Sequence, residues 1–452
     1  MSVEIGVGIL GYGTIGTGVV KWLQENGAVI EKRTGIKLVL HGVADIDVKR
    51  DRGLILPAGI LTRDAEQVIR NPKVQIVVEL IGGIDHARKF ILQALGLGKP
   101  VVTANKALLA EHAAMIFREA EKSKADVFFE ASVGGGIPII RSLRDGMVSN
   151  RVKSIYGILN GTSNYILTRM EQAHVSLASA LKEAQGKGIA EIDPAMDIDG
   201  IDTAHKTVIL ASLAYGFHVP MTAVSVEGIR GLSAMDMQYA MSLGYRVKLL
   251  AVIEEKKGKV SARVHPTLVP QESILASVRG IFNAVLIRCD CVGDTLCYGI
   301  GAGRDSTASA ILSDVVEAAR DLPCRSCRHA NGFGRSKADH IAEIGDSKSR
   351  YYLRLTLLDK PGMFGQVGTL LGKYAISIAS VLQKENSTGK HVPVIFITHH
   401  AKESAFRSAI KELDRMPGVG AKAVCIRIED FLTASDKGTK AEGIKGRKKI
   451  AE

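Results

Sequence analysis

The first third of the chain switches repeatedly between two hydrophobic patterns. Strand-like runs rich in apolar residues, which are typical of buried strands in a parallel sheet, occur at residues 7–10, 37–44, 76–81, 100–103 and 127–129. Between these runs, apolar residues recur with the 3.6-residue period of amphipathic helices, as in 85–97 and 107–123. Strands and helices that alternate at this spacing predict an α/β domain with a Rossmann-like, doubly wound parallel sheet.

The middle third carries a different pattern. A helical period at 177–186 precedes an acidic, glycine-containing loop at 191–202, after which an apolar helix is predicted for 203–215. Alternating strands then form two predicted hairpins, 245–255 with 259–269 and 282–290 with 295–300. These elements predict an α+β domain with an antiparallel sheet, and a last helix at 307–322 that closes back onto the first domain.

The C-terminal part has a compact βαββαβ order between residues 351 and 429, with Pro361 and Gly362 in the turn after its first strand. This order predicts a ferredoxin-like domain. We therefore predict a dinucleotide-binding domain at 1–135, against which the segment 300–322 packs, and a domain for catalysis and dimerisation at 136–322. A linker at 323–350 leads to the ferredoxin-like domain at 351–432, and a disordered basic tail follows at 433–452.

Composition narrows the class of protein. The 452 residues carry a net charge of +12, but part of the excess lies in the tail and no basic stripe with interleaved aromatics occurs elsewhere, so a nucleic-acid partner is not expected. The absence of a signal peptide and of an apolar run near the roughly 20 residues of a membrane span favours a cytoplasmic protein. Cys324 and Cys327 have half of a zinc-like spacing without a second pair of ligands, which favours plain surface thiols over a metal site.

A glycine-rich turn follows the first predicted strand. In the pattern Gly11-x-Gly13-x-x-Gly16 the first glycine allows a tight turn, the second lets the backbone approach a pyrophosphate, and the third allows a helix to pack closely on the strand. The N-terminus of that helix attracts phosphate groups. The turn therefore predicts NAD or NADP binding, and its alternative interpretation is a purely structural turn.

The end of the second strand bears on the choice of cofactor. Asp45 is placed to accept hydrogen bonds from the adenine ribose, although it lies 29 residues after Gly16 rather than the usual roughly 20. Lys49 and Arg50 either neutralise a 2′-phosphate or are ordinary solvated charges of a loop. Asp45 followed by the apolar Ile46 favours NAD slightly, and the choice between NAD and NADP stays open.

Two further strand ends and one helix carry candidate chemistry. Gly82 and Thr103 follow parallel strands, whose carboxyl ends bind ligands, so they are predicted cofactor contacts and place Lys106 near the nicotinamide. Asp202 and Lys206 are four residues apart and share one face of an apolar helix. Burial lowers a lysine pKa while a carboxylate raises it, so this pair suits a proton donor, whereas its alternative is an ordinary surface ion pair.

With these residues in view, the chain resembles homoserine dehydrogenase in its longer bacterial form with a C-terminal ACT domain. Besides the glycine turn, the resemblance is carried, in order along nearly the whole chain, by segments 103–106, 130–138, 157–165, 188–194, 200–206, 299–303 and 307–310. It implies reversible, NAD(P)-dependent interconversion of L-aspartate 4-semialdehyde and L-homoserine, in threonine, methionine and isoleucine biosynthesis.

The resemblance also implies roles for individual residues. Lys206 donates the proton to L-aspartate 4-semialdehyde, or removes it from L-homoserine in reverse, and Lys106 assists at the same cleft and touches the cofactor. Glu191 and Asp202 bind the amino-acid head of the substrate. The dinucleotide is lined by Tyr12, Thr14, Ile15, Gly188 and Gly303.

A monovalent cation such as Na⁺ is a further implication of the resemblance. Its ligands are mostly backbone carbonyls, of Glu130, Val133, Gly135 and Ile137. A hard cation prefers such oxygen ligands. For Glu130 the alternatives are an N-terminal helix cap or an ion pair.

The C-terminal segment resembles an ACT domain through 353–364 and 376–381. By resemblance, the enzyme is feedback-inhibited by L-threonine, and the alternative is a module that only holds subunits together. A homodimer or homotetramer is expected.

Two rival functions depend on other residues. A relic dehydrogenase that only senses amino acids would have lost its proton-handling residues, yet Lys106, Glu191, Asp202 and Lys206 are present. Aspartate-semialdehyde dehydrogenase chemistry needs a nucleophilic cysteine, and no cysteine occurs before Cys289.

Overall fold

The structure, a computed structural model, describes residues 2–324, 333, 338–383 and 390–431. The predicted tail, Cys327 and 12 of the 28 residues of the predicted linker 323–350 lie outside these residues. The described part forms two compact units. The first unit contains residues 1–231, 249–265 and 278–344, and the second contains 232–248, 266–277 and the chain from Gly345 onwards.

A parallel sheet occupies residues 2–130, which are described without a gap. Its six strands are Val3–Leu10, Ile36–Ala44, Leu61–Thr62, Ile76–Glu79, Val101–Thr103 and Val127–Phe128, in the spatial order third, second, first, fourth, fifth, sixth. The helices between them are Thr14–Thr34, Ala65–Arg70, Asp85–Gly96 and Lys106–Ser123. This strand order is that of a dinucleotide-binding fold, so the predicted doubly wound sheet is confirmed.

The predicted closing helix is also present. Helix Arg304–Asp321 packs along helix Thr14–Thr34, and its Ile311 and Val315 belong to the same buried cluster as Val19. A Cβ atom on Gly18 would lie 2.7 Å from the Arg304 side chain, so the two helices approach closely where glycine leaves room.

The rest of the first unit is a mixed sheet with helices. Across this sheet the strands follow in the order Asp294–Ile300, Phe282–Cys289, Val152–Ile158, Tyr245–Lys256 and Lys259–Pro270. Neighbouring strands among the first four are antiparallel. The short strand Val224–Val226 pairs with Lys259–Pro270. The helices are Ile139–Arg141, continued by the wider turn Ser142–Gly146, and Gly161–Ala173, Leu177–Gly186, Ala195–Ile198 and Ile201–Tyr215. Both predicted hairpins are confirmed.

One boundary in this region was predicted wrongly. The acidic loop does not extend through Asp202, because Ala195–Ile198 is helical and the next helix already begins at Ile201. Gly200 precedes that helix in the left-handed region, with φ +83°, and turns the chain into it. Asp202 therefore stands on the first turn of a helix whose residues from Asp202 to Ser212 are all buried.

The second unit contains the predicted ferredoxin-like order. Its antiparallel strands follow in the order Val419–Ile428, Lys348–Leu358, His391–Thr398 and Ile378–Gln383. The short strand Ala401–Lys402 pairs with the first residues of Lys348–Leu358. The helices are Met363–Lys373, Glu403–Leu413 and Ala234–Ser242. Residues 232–248 and 266–277 belong to this unit although they fall within the predicted catalytic domain 136–322, and the predicted domain limits remain a prediction.

Single turns of helix complete the described chain, at Glu130–Ser132, Met221–Ala223, Ile274–Ser277, Leu322–Cys324, Ala338–His340 and Ile344–Asp346. Among the described residues, no helix combines the length and the apolar composition that crossing a bilayer requires.

Candidate functional site

The glycine turn is built so that only one of its glycines faces open space. Gly11 has φ +98°, and a Cβ there would lie 2.5 Å from the Leu80 carbonyl oxygen, while a Cβ on Gly16 would lie 2.1 Å from the Gly11 oxygen. A Cβ on Gly13 would meet nothing within 4 Å. Helix Thr14–Thr34 starts there without a side-chain cap and without an acidic residue in its first turn, so its first N–H groups suit an anion.

Asp45 holds this turn in place. Its Oδ2 accepts the backbone N–H of Tyr12 at 2.6 Å, and its Oδ1 accepts that of Asp47 at 2.8 Å and lies 3.3 Å from Arg52 Nη2. The Arg52 guanidinium also lies 4.7 Å from the centre of the Tyr12 ring and donates to the Tyr12 carbonyl. The carboxylate predicted to bind a ribose is therefore engaged by protein groups.

Arg52 was not among the predicted cofactor contacts, although Arg50, two positions earlier, was a candidate for a 2′-phosphate. A cavity of about 190 Å³ beside the turn is lined by Tyr12, Gly13, Thr14, Thr17, Arg50, Asp51, Arg52 and Arg304. Three guanidinium groups and one carboxylate, that of Asp51, line this cavity, here called the cationic cavity; Arg52 also pairs with Asp45, and Arg304 pairs with Asp305. Together with the open face of Gly13, the cationic cavity fits a dinucleotide whose phosphates lie on the turn.

Glu79 ties the next two strand ends together. It is fully buried, and its carboxylate accepts the Thr103 hydroxyl and the Ile81 N–H, each at 2.8 Å. Burial raises the pKa of Glu79, while these hydrogen bonds oppose the rise. Gly82 follows with φ +78°, so the predicted cofactor contacts Gly82 and Thr103 sit in neighbouring turns held by one buried side chain.

A cluster of Lys106, Asp202 and Lys206, here called the lysine cluster, lies on facing helices. Lys206 Nζ lies 2.7 Å from Asp202 Oδ2 and donates to the Leu159 carbonyl at 2.7 Å. Lys106 Nζ lies 3.1 Å from Asp202 Oδ1. The Lys206 side chain is 10% exposed, whereas the Lys106 side chain is 39% exposed, so one ammonium is interior and the other reaches the surface.

The charges within the lysine cluster favour an ionised carboxylate. Burial by itself would raise the pKa of Asp202, but the ammonium groups of Lys206 and Lys106 outweigh it and hold that pKa well below its usual range. Two ammonium groups then share one carboxylate, Lys206 in a buried place and Lys106 in a partly exposed one. Ammonium groups held in this way stabilise negative charge that develops on a substrate oxygen.

Asn160 is a second residue that sequence reasoning missed. It is 6% exposed, and its Nδ2 donates to Asp202 Oδ2 at 2.8 Å and to Asp197 Oδ1 at 2.7 Å. Its Oδ1 accepts the Ser163 N–H at 2.8 Å, which caps helix Gly161–Ala173. An Asn directly before Gly-Thr-Ser is typical of a helix N-cap, and that signal was available in the sequence.

Glu191 is not part of the lysine cluster in this structure. Its side chain is exposed, and the backbone carbonyls of Glu191 and Ile192 accept the Gln185 amide at 3.1 Å each. Gly188 precedes this turn with φ +69° and is also exposed, and Ile192 is 96% exposed.

The predicted cation ligands lie beside helix Arg304–Asp321. The Glu130 carboxylate accepts the N–H groups of Ile140 at 2.8 Å and Arg141 at 2.9 Å, so it caps the short helix Ile139–Arg141, one of the alternatives considered for it. Burial raises the pKa of Glu130, and burial also raises the pKa of Asp314, which accepts the Glu130 N–H, to about 8. Among the described residues, no three His, Cys, Asp or Glu side chains are grouped to hold a metal ion.

The loop that follows Glu130 is tightly packed. Gly135 has φ +56°, and a Cβ there would lie 2.7 Å from the Gly301 carbonyl oxygen. Gly303 has φ +130° and begins helix Arg304–Asp321. Gly135 and Gly301 therefore meet backbone to backbone, while Val133 and Ile137 are buried.

Comparisons with known proteins agree along the chain. Family models match at residues 11–130 ("Homoserine dehydrogenase, NAD binding domain"), 138–316 ("Homoserine dehydrogenase") and 351–418 ("ACT domain"). Homoserine dehydrogenase of Neisseria gonorrhoeae is 40% identical over 431 residues, 94% of this chain and 99% of that protein.

Solved structures are similar as well. The crystal structure of a homoserine dehydrogenase from Thiobacillus denitrificans has a TM-score of 0.87 at 38% identity, covering 95% of this chain and 99% of that one. A hyperthermophilic archaeal homoserine dehydrogenase in complex with NADPH has a TM-score of 0.61 at 28% identity, covering 71% of this chain and 98% of that one.

Proposed function

This chain belongs to the homoserine dehydrogenase family, and from that membership we propose which of its residues perform the reaction. The enzyme is an NAD(P)-dependent oxidoreductase that interconverts L-aspartate 4-semialdehyde and L-homoserine. The observation that carries the assignment is the lysine cluster, in which Asp202 lies between Lys106 and Lys206.

Lys206 is the proton donor in the direction of aldehyde reduction. When bound, the reduced nicotinamide supplies a hydride to the aldehyde carbon, and the carbonyl oxygen takes a proton from the Lys206 ammonium, which gives the alcohol. Two of the three Lys206 N–H groups are directed at Leu159 and Asp202, and we assign the third to the substrate oxygen. In the reverse direction the neutral amine of Lys206 accepts the hydroxyl proton.

Lys106 and the acidic residues have different roles. The Lys106 ammonium, held by Asp202 Oδ1, stabilises negative charge on the substrate oxygen during reduction. Asp202 is already shared by two ammonium groups, so it mainly orients the lysines. Glu191 is exposed and has no ion pair within the described part of the chain, and we propose that its carboxylate binds the substrate ammonium.

For the cofactor we propose NADP rather than NAD, against the slight preference for NAD that Asp45 suggests in the sequence. Asp45 is engaged by Tyr12, Asp47 and Arg52, which leaves the cationic cavity of Arg50, Arg52 and Arg304 to receive a 2′-phosphate. The archaeal family member solved with NADPH supports this choice.

Two ligands implied by family membership remain proposals. A monovalent cation would be held by oxygens of Glu130, Val133, Gly135 and Ile137, where it would tie the loop after Glu130 to its neighbours. L-threonine is the proposed inhibitor at the ACT domain, which supports binding of a small amino acid. The tests are melting temperature in sodium against choline chloride, and the rate with and without millimolar threonine.

A steady-state assay tests the central assignment. Lys206→Ala should remain folded and lose roughly 10²- to 10⁴-fold in kcat, as expected for removal of an acid–base group. Normal turnover by this variant would remove Lys206 from the mechanism. Lys182→Ala, an exposed lysine of helix Leu177–Gly186, is the matched control and should leave the rate unchanged.

A further inference from the structure

Asn160 connects the lysine cluster to the end of a strand. Strand Val152–Ile158 ends just before Leu159 and Asn160, and helix Gly161–Ala173 starts directly after them. The Leu159 carbonyl accepts from Lys206, and the Asn160 amide donates to Asp202. Two consecutive residues therefore hold both members of the Asp202–Lys206 pair.

The orientation of the Asn160 amide is fixed by its partners. The Ser163 N–H can only donate, so the atom that faces it is the amide oxygen. Asp197 and Asp202 present carboxylate oxygens, which can only accept, so the amide nitrogen must face them. One helix cap thus directs both N–H groups of the side chain at two carboxylates.

This arrangement determines which oxygen of Asp202 serves which lysine. Oδ2 accepts from Asn160 at 2.8 Å and from Lys206 at 2.7 Å, while Oδ1 faces Lys106 at 3.1 Å. Without the amide, the Asp202 carboxylate loses one of the three side chains that fix its rotation about the Cβ–Cγ bond, and only the two flexible lysines still hold it. The amide also separates the negative charges of Asp197 and Asp202 by donating to both.

We propose that Asn160 is a positioning residue for the hydride-transfer reaction: its amide fixes the Asp202 carboxylate and, through it, the Lys206 ammonium at the substrate oxygen. This inference rests on the proposed function, because it takes Lys206 as the proton donor. In this proposal Asn160 does not contact the substrate. Displacement of the proton donor, the Lys206 ammonium, lowers the reaction rate because the reacting atoms require close alignment.

Two substitutions separate positioning from capping. Ser and Asp cap helices about as well as Asn, so Asn160→Ser and Asn160→Asp keep the bond to the Ser163 N–H. Asn160→Ser is too short to donate to both carboxylates, and Asn160→Asp replaces both donors with acceptors. Asn160→Ser should retain a melting temperature within a few degrees of the parent, and both variants should lose roughly 10- to 100-fold in kcat, with a smaller change in KM.

The pH dependence supplies a readout that a structural role would not move. The carboxyl introduced by Asn160→Asp donates again when it is protonated, so the deficit of this variant relative to the parent should shrink as pH falls, whereas that of Asn160→Ser should stay constant. Each variant is compared with the parent over a pH range in which both are folded, so the trend with pH decides the question even if Asn160→Asp is less stable.

The controls keep the outcomes apart. Ser176→Ala removes the exposed cap of helix Leu177–Gly186, which accepts the Ser179 N–H, and should leave kcat unchanged. If Lys206→Ala is inactive while both Asn160 variants turn over within about twofold of the parent with its pH profile, the positioning role is wrong and the proposed function stands. If Lys206→Ala is fully active, the proposed function fails and the positioning role fails with it.

Discussion

The Lys106 ammonium and the Asp202 carboxylate lie 3.1 Å apart although they belong to different helices, Lys106–Ser123 of the parallel sheet and Ile201–Tyr215 of the mixed sheet. Lys206 reaches the other oxygen of the same carboxylate at 2.7 Å. Asp202 is therefore the point at which two parts of the first unit bring their cationic groups together.

Asp202→Asn tests this arrangement. The amide keeps the shape of the side chain but removes the charge that holds two ammonium groups together, so kcat/KM should fall by roughly 100-fold or more as the lysines separate. Steady-state kinetics at constant pH measures the change. Asp199→Asn, a partly exposed aspartate that pairs with Arg230, is the control, and an Asp202→Asn variant as active as this control would contradict the assignment.

The glycine turn predicts a contrast between Gly13→Ala and Gly11→Ala. A Cβ on Gly13 enters open space, so this variant should keep its melting temperature while its KM for the cofactor rises about tenfold or more, because the methyl group occupies the approach to the pyrophosphate. Gly11→Ala places a Cβ 2.5 Å from the Leu80 oxygen at φ +98°, so it should lose stability as well. Thermal unfolding and cofactor titration separate the two effects, and equal melting temperatures for both variants would oppose this account.

Arg52→Ala should change cofactor preference. Removing this guanidinium from the cationic cavity should raise KM for NADPH by roughly 10- to 100-fold and affect NADH much less, since a charge-assisted contact to phosphate contributes about 1.5–3 kcal/mol. Kinetics with both cofactors measure the ratio. Lys49→Ala, an exposed residue that does not line the cavity, is the control, and equal losses with NADPH and NADH would rule out a 2′-phosphate contact.

A buried ion pair stabilises the second unit. Asp236 is fully buried and accepts from Arg354 at 2.7 and 3.0 Å and from the Tyr352 hydroxyl at 3.0 Å. Arg354→Ala leaves that carboxylate without its cation and should lower the free energy of unfolding by about 3–5 kcal/mol. Urea unfolding provides the measurement, and Arg230→Ala, which breaks an exposed pair with Asp199, should cost less than about 1 kcal/mol. Similar costs for the two variants would be evidence against the buried pair.

We expect the Glu403 carboxylate to make the free energy of unfolding of the second unit depend on pH in the acid range. Burial by itself would raise the pKa of Glu403, but hydrogen bonds and charge from Arg427, with help from Tyr351 and Arg407, lower it to about 2. Because the folded pKa lies below the unfolded value of about 4.3, the stabilisation is complete above that value and is lost as pH falls towards 2.

The measurement is the free energy of unfolding of the parent and of Glu403→Gln between pH 7 and pH 2. The parent should lose up to about 3 kcal/mol from this group across the acid range, and the variant should lack that part of the slope. Parallel curves for the two proteins would show that Glu403 does not contribute it.

The order of helices and strands could be predicted from the sequence because the spacing of apolar residues reflects the local backbone geometry, which differs between a helix and a strand. Residues 177–186 were placed on a helix with the observed limits, and the two hairpins were placed within a residue or two. The helix start at Ile201 was missed, because Gly200 reverses the chain with a left-handed conformation that a period does not reveal.

The sequence by itself determined the glycine turn, the strand and helix order, and the pairing of Asp202 with Lys206, since each depends on residues close together along the chain. Only the tertiary structure decided that Lys106, 96 positions before Asp202, reaches the same carboxylate, that Asn160 orients it, and that Arg52 engages Asp45. Those contacts arise from the packing of whole helices and strands against one another. Long, flexible side chains such as lysine and arginine can also reach several different partners, and spacing along the chain does not specify which one they contact.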